Sequence, residues 1–118
     1  EFAKKLLDRR KIIIRKAIVV QSPYLQRRAF LTFKRNWPSL KVSMISPSEN
    51  LDNFSQKKSI SKKEIINVMV GEIRRLIEYP KRGWLEEQKI PKKVLQAYNS
   101  LINLGFTEYL EYPPVPED

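Results

Sequence analysis

Ala17-Ile-Val-Val-Gln-Ser-Pro-Tyr-Leu-Gln-Arg-Arg-Ala29 decides how this chain is read. Ala17 to Val20 is a short apolar run, β-branched at three of its four positions, which predicts a strand covered on both faces, as in a parallel sheet. Ser22 offers a side-chain oxygen as a helix cap, and Pro23 suits a first helical position. A strand that turns directly into a helix places helix N–H groups at the carboxyl edge of the sheet. In open α/β sheets that edge is where ligands bind, and free N–H groups there favour an anion. Gln21, Ser22, Tyr24, Arg27 and Arg28 are therefore the candidate ligand-binding residues.

Working outward, helix 23–36 places Leu25, Ala29, Phe33 and Trp37 at intervals of four, the expected core stripe, with Phe30 beside them. Arg27, Arg28, Lys34 and Arg35 occupy the opposite arc, and Pro38 stops the helix. Lys41 to Ile45 reads as a second strand. Two strands joined by one helix predict a right-handed βαβ unit.

Upstream, residues 1–10 read as a helix with Phe2, Ala3, Leu6 and Leu7 on one face. Ile12 to Ile14 belong either to a linker or to the start of a strand. Downstream, residues 46–61 turn to Ser, Asn, Pro and Lys and are expected to form a long surface loop. Residues 62–78 form the longest expected helix, with Ser61 and Glu64 as a capping box. Glu72 falls inside its wide apolar arc and needs a partner, either Arg75 three residues on or something distant, an Arg or a ligand. Pro91 opens a last helix with Val94, Leu95, Tyr98, Leu101 and Ile102 inward, closed at Gly105. Residues 106–112 are expected to pair as a short strand, and 113–118 to be a fraying tail.

The 118 residues suffice for one small domain. The chain opens within a helical pattern, so a single-domain fragment is expected. It contains no Cys and no His, which removes disulfides, Cys- or His-ligated zinc, and Cys or His catalytic chemistry. No metal is expected. Glu49, Asp52 and Glu72 are the carboxylates to watch, and their spacing matches no metal motif. No run approaches the ~20 apolar residues of a membrane span, and the expected location is cytoplasmic.

Net charge is +10, and its placement is uneven. Residues 1–45 hold 12 Lys and Arg against 2 acidic residues, whereas residues 46–118 hold 11 of each. The whole excess surrounds the opening strand, turn and helix. A solvated basic face is the plain reading. A phosphate- or nucleotide-binding surface, or a basic nucleic-acid-binding module using the arc of Arg27, Arg28, Lys34 and Arg35 with Lys4, Lys5, Arg9, Arg10, Lys11 and Arg15, are the functional ones.

At Ile18-Val-Val-Gln-Ser-Pro-Tyr-Leu-Gln-Arg-Arg-Ala-Phe30 the chain resembles the YdcF-like family of bacterial domains of unknown function. The resemblance continues at Thr32-Phe33 and Trp37-Pro38. It resumes at Ile66-Asn-Val-Met-Val-Gly71, Gly83, Glu87-Gln88, Ile90-Pro91 and Ala97-Tyr98. It implies a Rossmann-like three-layer α/β domain with a mostly parallel sheet, of which this chain is the C-terminal half. The family's first strand, Gly-containing loop and Thr-x-Glu-Asn element would lie before Glu1. Many members carry a His within a Ser-x-Tyr-His-Met-Arg-Arg-Ala pattern. Leu25 stands there in this chain, so no acid–base role carries over, while Ser22, Tyr24, Arg27 and Arg28 match. S-adenosylmethionine is the ligand the resemblance implies; it implies no reaction. With only part of a parallel sheet present, the absent half, a second chain or a swapped partner is expected to cover the strand at 17–21.

Overall fold

The computed structural model describes residues 2–48 and 50–111. The chain is a mixed α/β structure with a two-stranded parallel sheet. Helix α1 (Phe2–Arg9) precedes β1 (Lys16–Val20); a single 3-10 turn (Pro23–Leu25) leads into α2 (Gln26–Asn36), and β2 (Lys41–Ile45) follows. Then come α3 (Leu51–Lys58), α4 (Lys62–Glu78), a second 3-10 turn (Tyr79–Arg82) and α5 (Lys92–Asn103). Glu49, residue 112 and the 113–118 tail lie outside the described residues.

The strands pair in parallel with Ala17 opposite Val42 and Val19 opposite Met44, as the βαβ reading requires. Burial, however, alternates along both strands. Ala17, Val19, Val42 and Met44 are half-buried, and Val42 and Met44 share a cleft with Phe30 of α2. The other face carries Ile18 at 68% exposure, Val20 at 71% and Ile45 at 50%. The expectation of a strand covered on both faces is corrected accordingly. A continuous apolar run reports what a strand is suited to bury, and here only one covering layer is in place. Ile12 and Ile13 are exposed and join no strand.

Helix α2 begins three residues later than expected, because Pro23–Leu25 forms a 3-10 turn. Its core residue is Leu31, 4% exposed, while Leu25, Ala29, Phe33 and Trp37 are all half-buried. Leu31 packs with Tyr79 and Leu85, and Phe30, Leu76 and Trp84 close around them. The expected stripe runs along the flank of α2, because a short helix lying between a sheet and another helix buries the residue facing the junction.

Residues 46–61 are not a long loop. Asn50 caps α3 by accepting from the Asn53 N–H at 2.8 Å, and Phe54 is buried. A polar eight-residue helix of this kind is held by one buried aromatic and its cap rather than by propensity. The Ser61 hydroxyl accepts from the Glu64 N–H at 3.1 Å, as expected of that capping pair. Residues 106–111 run as turns rather than as a strand, and Val94, 37% exposed, lines the cleft facing α4 with Tyr98 and Leu101. This last segment docks on α4 instead. Buried Asn67 donates to the Lys63 carbonyl and accepts from the Glu108 N–H at 3.3 Å. Tyr109 donates its hydroxyl proton to Glu64. Gly71 makes that approach possible, since a Cβ there would lie 2.8 Å from both the Cβ and the carbonyl oxygen of Tyr109.

Candidate functional site

The carboxyl ends of both strands are tied together. Gln21 N–H donates to the Ile45 carbonyl at 3.0 Å, and the Ser46 hydroxyl donates to the Gln21 carbonyl at 2.7 Å. The Gln21 side chain folds back, its Oε1 accepting from the Ser22 N–H at 3.1 Å. Ser22 makes no side-chain cap, which corrects the capping expectation. The Leu25 N–H, a donor within such a cap's reach, is already bonded to the Ser22 carbonyl at 3.0 Å.

Gln21 and Ser22 line a cavity of about 310 Å³ with Pro47 and with Phe54, Lys57 and Lys58 of α3. It lies at the carboxyl edge of the sheet. Two lysines in the last turn of a helix suit that helix's negative end, and here they also make the cavity electropositive. Sequence patterning does not single out Lys57 and Lys58, because the polar composition of residues 46–61 predicts a loop there. The available signal was Asn50 followed by Leu51 and Phe54, a cap and two apolar residues three apart.

The other candidates lie elsewhere around the turn. Tyr24 meets Phe54 edge-on, with ring centroids 5.6 Å apart and planes at 89°, so its ring helps seat α3. Arg27 is exposed and lines a cleft of about 410 Å³ with Phe30, Val42 and Met44. Arg28 points to α4 and binds Glu72 at two points, Nε to Oε2 at 2.5 Å and Nη2 to Oε1 at 3.1 Å. Arg75 adds a contact to Glu72 at 3.4 Å. Glu72 therefore has both the local and the distant partner considered for it. The hydrogen bond to Glu72 raises the Arg28 pKa against the opposing effect of burial. Tyr24, Arg27 and Arg28 share a mostly apolar cleft of about 270 Å³ facing α4 and α5. The five candidates thus divide, with Gln21 and Ser22 in one cavity and Tyr24, Arg27 and Arg28 in another.

Asp52 pairs with Lys62 at the surface, and Glu49 lies outside the described residues. Among the described residues no group of three or more acidic side chains is placed to hold a metal ion. No described helix is long and apolar enough to cross a membrane.

No protein-family model matches the chain, and no solved structure matches it. It is similar to an uncharacterized protein of Streptomyces coelicolor, 33% identical over 116 residues. That similarity takes in 98% of this chain and 50% of the relative, so the chain spans about half the relative's length.

Proposed function

We propose that this chain is part of a Rossmann-like domain of the YdcF-like kind, in which the carboxyl edge of the parallel sheet binds a small anionic or nucleotide-like ligand. S-adenosylmethionine is the ligand suggested by the sequence resemblance. The observation that carries this reading is the cavity between the strand–turn corner and α3, with Gln21 and Ser22 on one side and Lys57 and Lys58 on the other. Ser22 and Gln21 supply neutral hydrogen-bonding groups, and the lysines supply charge for a phosphate or carboxylate. Arg27 lines the neighbouring clefts of the same turn and adds positive charge there. Arg28 acts through Glu72, fixing the first turns of α2 against α4. In this reading the domain is cytoplasmic, and a further layer, from the absent half, a second chain or a swapped partner, covers the open face of Ile18, Val20 and Ile45.

The alternative, a basic nucleic-acid-binding module, finds less support along α2. Two of the four cations on its arc are committed to protein acceptors: Arg28 to Glu72, and Arg35 Nε to the Gly83 carbonyl at 3.1 Å.

The test is calorimetric titration with S-adenosylmethionine, and with pyrophosphate as a bare anion. The reading expects saturable binding, weakened about fivefold or more by Lys58→Ala or Arg27→Ala. Absence of binding by both probes, or identical affinity in both variants, would overturn it.

A further inference from the structure

A second cleft lies away from the sheet edge. It holds about 630 Å³ between α1 and the C-terminal end of α2, with Trp37 and Trp84 in its lining. These are the only two tryptophans of the sequence. We propose that this cleft binds a planar aromatic base carrying phosphate, either a free nucleotide or a base of a single-stranded nucleic acid.

The two indoles are held on one frame. Trp37 closes α2, its N–H donating to the Phe33 carbonyl at 2.7 Å. Trp84 is brought alongside by the turn at Gly83, whose φ of 74° is the left-handed conformation glycine accepts readily. Two bonds from α2 fix that turn: Arg35 Nε to the Gly83 carbonyl, and Asn36 Nδ2 to the Trp84 carbonyl at 3.3 Å. Trp84 is braced from behind by Tyr79, with ring centroids 4.9 Å apart at 74°. Rigid aromatic surfaces lose little entropy on stacking a ligand.

Cations surround these rings. Lys4 Nζ lies 6.0 Å from the Trp37 centroid, and the Arg82 guanidinium carbon lies 5.1 Å from that of Trp84. Lys5 and Asp8 line the same wall as Lys4. Aromatic faces interleaved with cations are how proteins take bases without reading sequence: the rings stack and the cations meet phosphate. The volume falls within the range of small-ligand sites. Helix α1 has no buried residue, so this wall is held by less packing than the α2 wall and can adjust to its occupant.

Because both tryptophans line this cleft, intrinsic fluorescence reads it directly. The chain is titrated with adenosine monophosphate and with single-stranded oligothymidylate, at about 50 and 200 mM salt. Saturable quenching by the mononucleotide assigns a free nucleotide. Quenching by the oligonucleotide alone, weakening with salt, assigns single-stranded nucleic acid. Either supports the proposal if Trp37→Leu and Lys4→Ala, checked as folded by circular dichroism, weaken binding about tenfold and severalfold respectively. No quenching by either probe, or equal affinity in both variants, overturns it. Neither tryptophan lines the sheet-edge cavity, so this outcome is independent of binding there.

Discussion

Arg28 and Glu72 lie 44 positions apart and meet as a two-point ion pair. The contact joins the start of α2 to the middle of α4, and so fixes the turn after β1 relative to the helical layer. Glu72 is 6% exposed, whereas the Arg28 side chain is 34% exposed. Arg28→Ala leaves a buried carboxylate with Arg75 as its remaining cation. It should cost about 1–3 kcal/mol, toward the lower end because Arg28 is partly solvated. Arg28→Lys should recover only part of that, since an ammonium cannot reproduce the fork. Urea unfolding measures both; an Arg28→Ala variant as stable as the parent would show that the pair does not hold the corner.

Gly71→Ala makes a second test of packing. Alanine favours a helix interior over glycine by about 1 kcal/mol, yet a Cβ there meets the Tyr109 backbone at 2.8 Å. Overpacking of this kind costs about 1–3 kcal/mol. Thermal unfolding should show a net loss of stability. A rise in Tm would mean that the 106–111 segment does not rest on α4.

The same segment predicts an alkaline transition. The hydrogen bond to Glu64 raises the Tyr109 pKa above its ordinary value of 10.0, with burial and the nearby carboxylate charges acting in the same direction. A raised folded-state value means the contribution is complete below pH 10 and is lost as pH rises through the folded pKa. In a tyrosinate absorbance titration, the group removed by Tyr109→Phe should therefore ionise later than an exposed tyrosine. Arg28 is also raised, but an arginine titrates far above neutrality and gives no dependence there. Ionisation of Tyr109 ahead of the other tyrosines would contradict the contact.

The open sheet face carries its own prediction. Ile18 and Val20 are already in water, so a double Ile18→Thr, Val20→Thr change should alter stability by only about 0.5 kcal/mol per site. It should nevertheless reduce association, which sedimentation measures, if a second layer covers this strip. Parent and variant both monomeric at high concentration, with no partner captured by the parent alone, would argue that the face is a true surface.

The order and pairing of the strands were legible because β-branched runs, Pro23 and Pro38 mark their own boundaries. The long helix α4 was legible from its cap and its wide apolar arc. Three features were not. Phe54 is one aromatic in a polar stretch, and no periodicity reveals that it is buried. Leu31 is not marked by the pattern, because spacing by four selects a helical face without saying which neighbour that face meets. Arg28 lies on the same helical arc as the solvated Arg27, and only tertiary structure brings Glu72 to it. The candidate site shares this limit: Gln21 and Ser22 follow from the strand–turn reading, whereas Lys57 and Lys58 depend on a helix that sequence patterning missed.

In the proposed function an anionic ligand sits at the carboxyl edge of the sheet. The most direct measurement is amide chemical-shift mapping while S-adenosylmethionine or pyrophosphate is added to isotope-labelled chain. Saturable shifts concentrated at Gln21, Ser22 and residues 57–58 are expected, with smaller changes along the first turn of α2. Shifts that leave these amides unmoved and gather elsewhere, or no shifts with either probe, would contradict it.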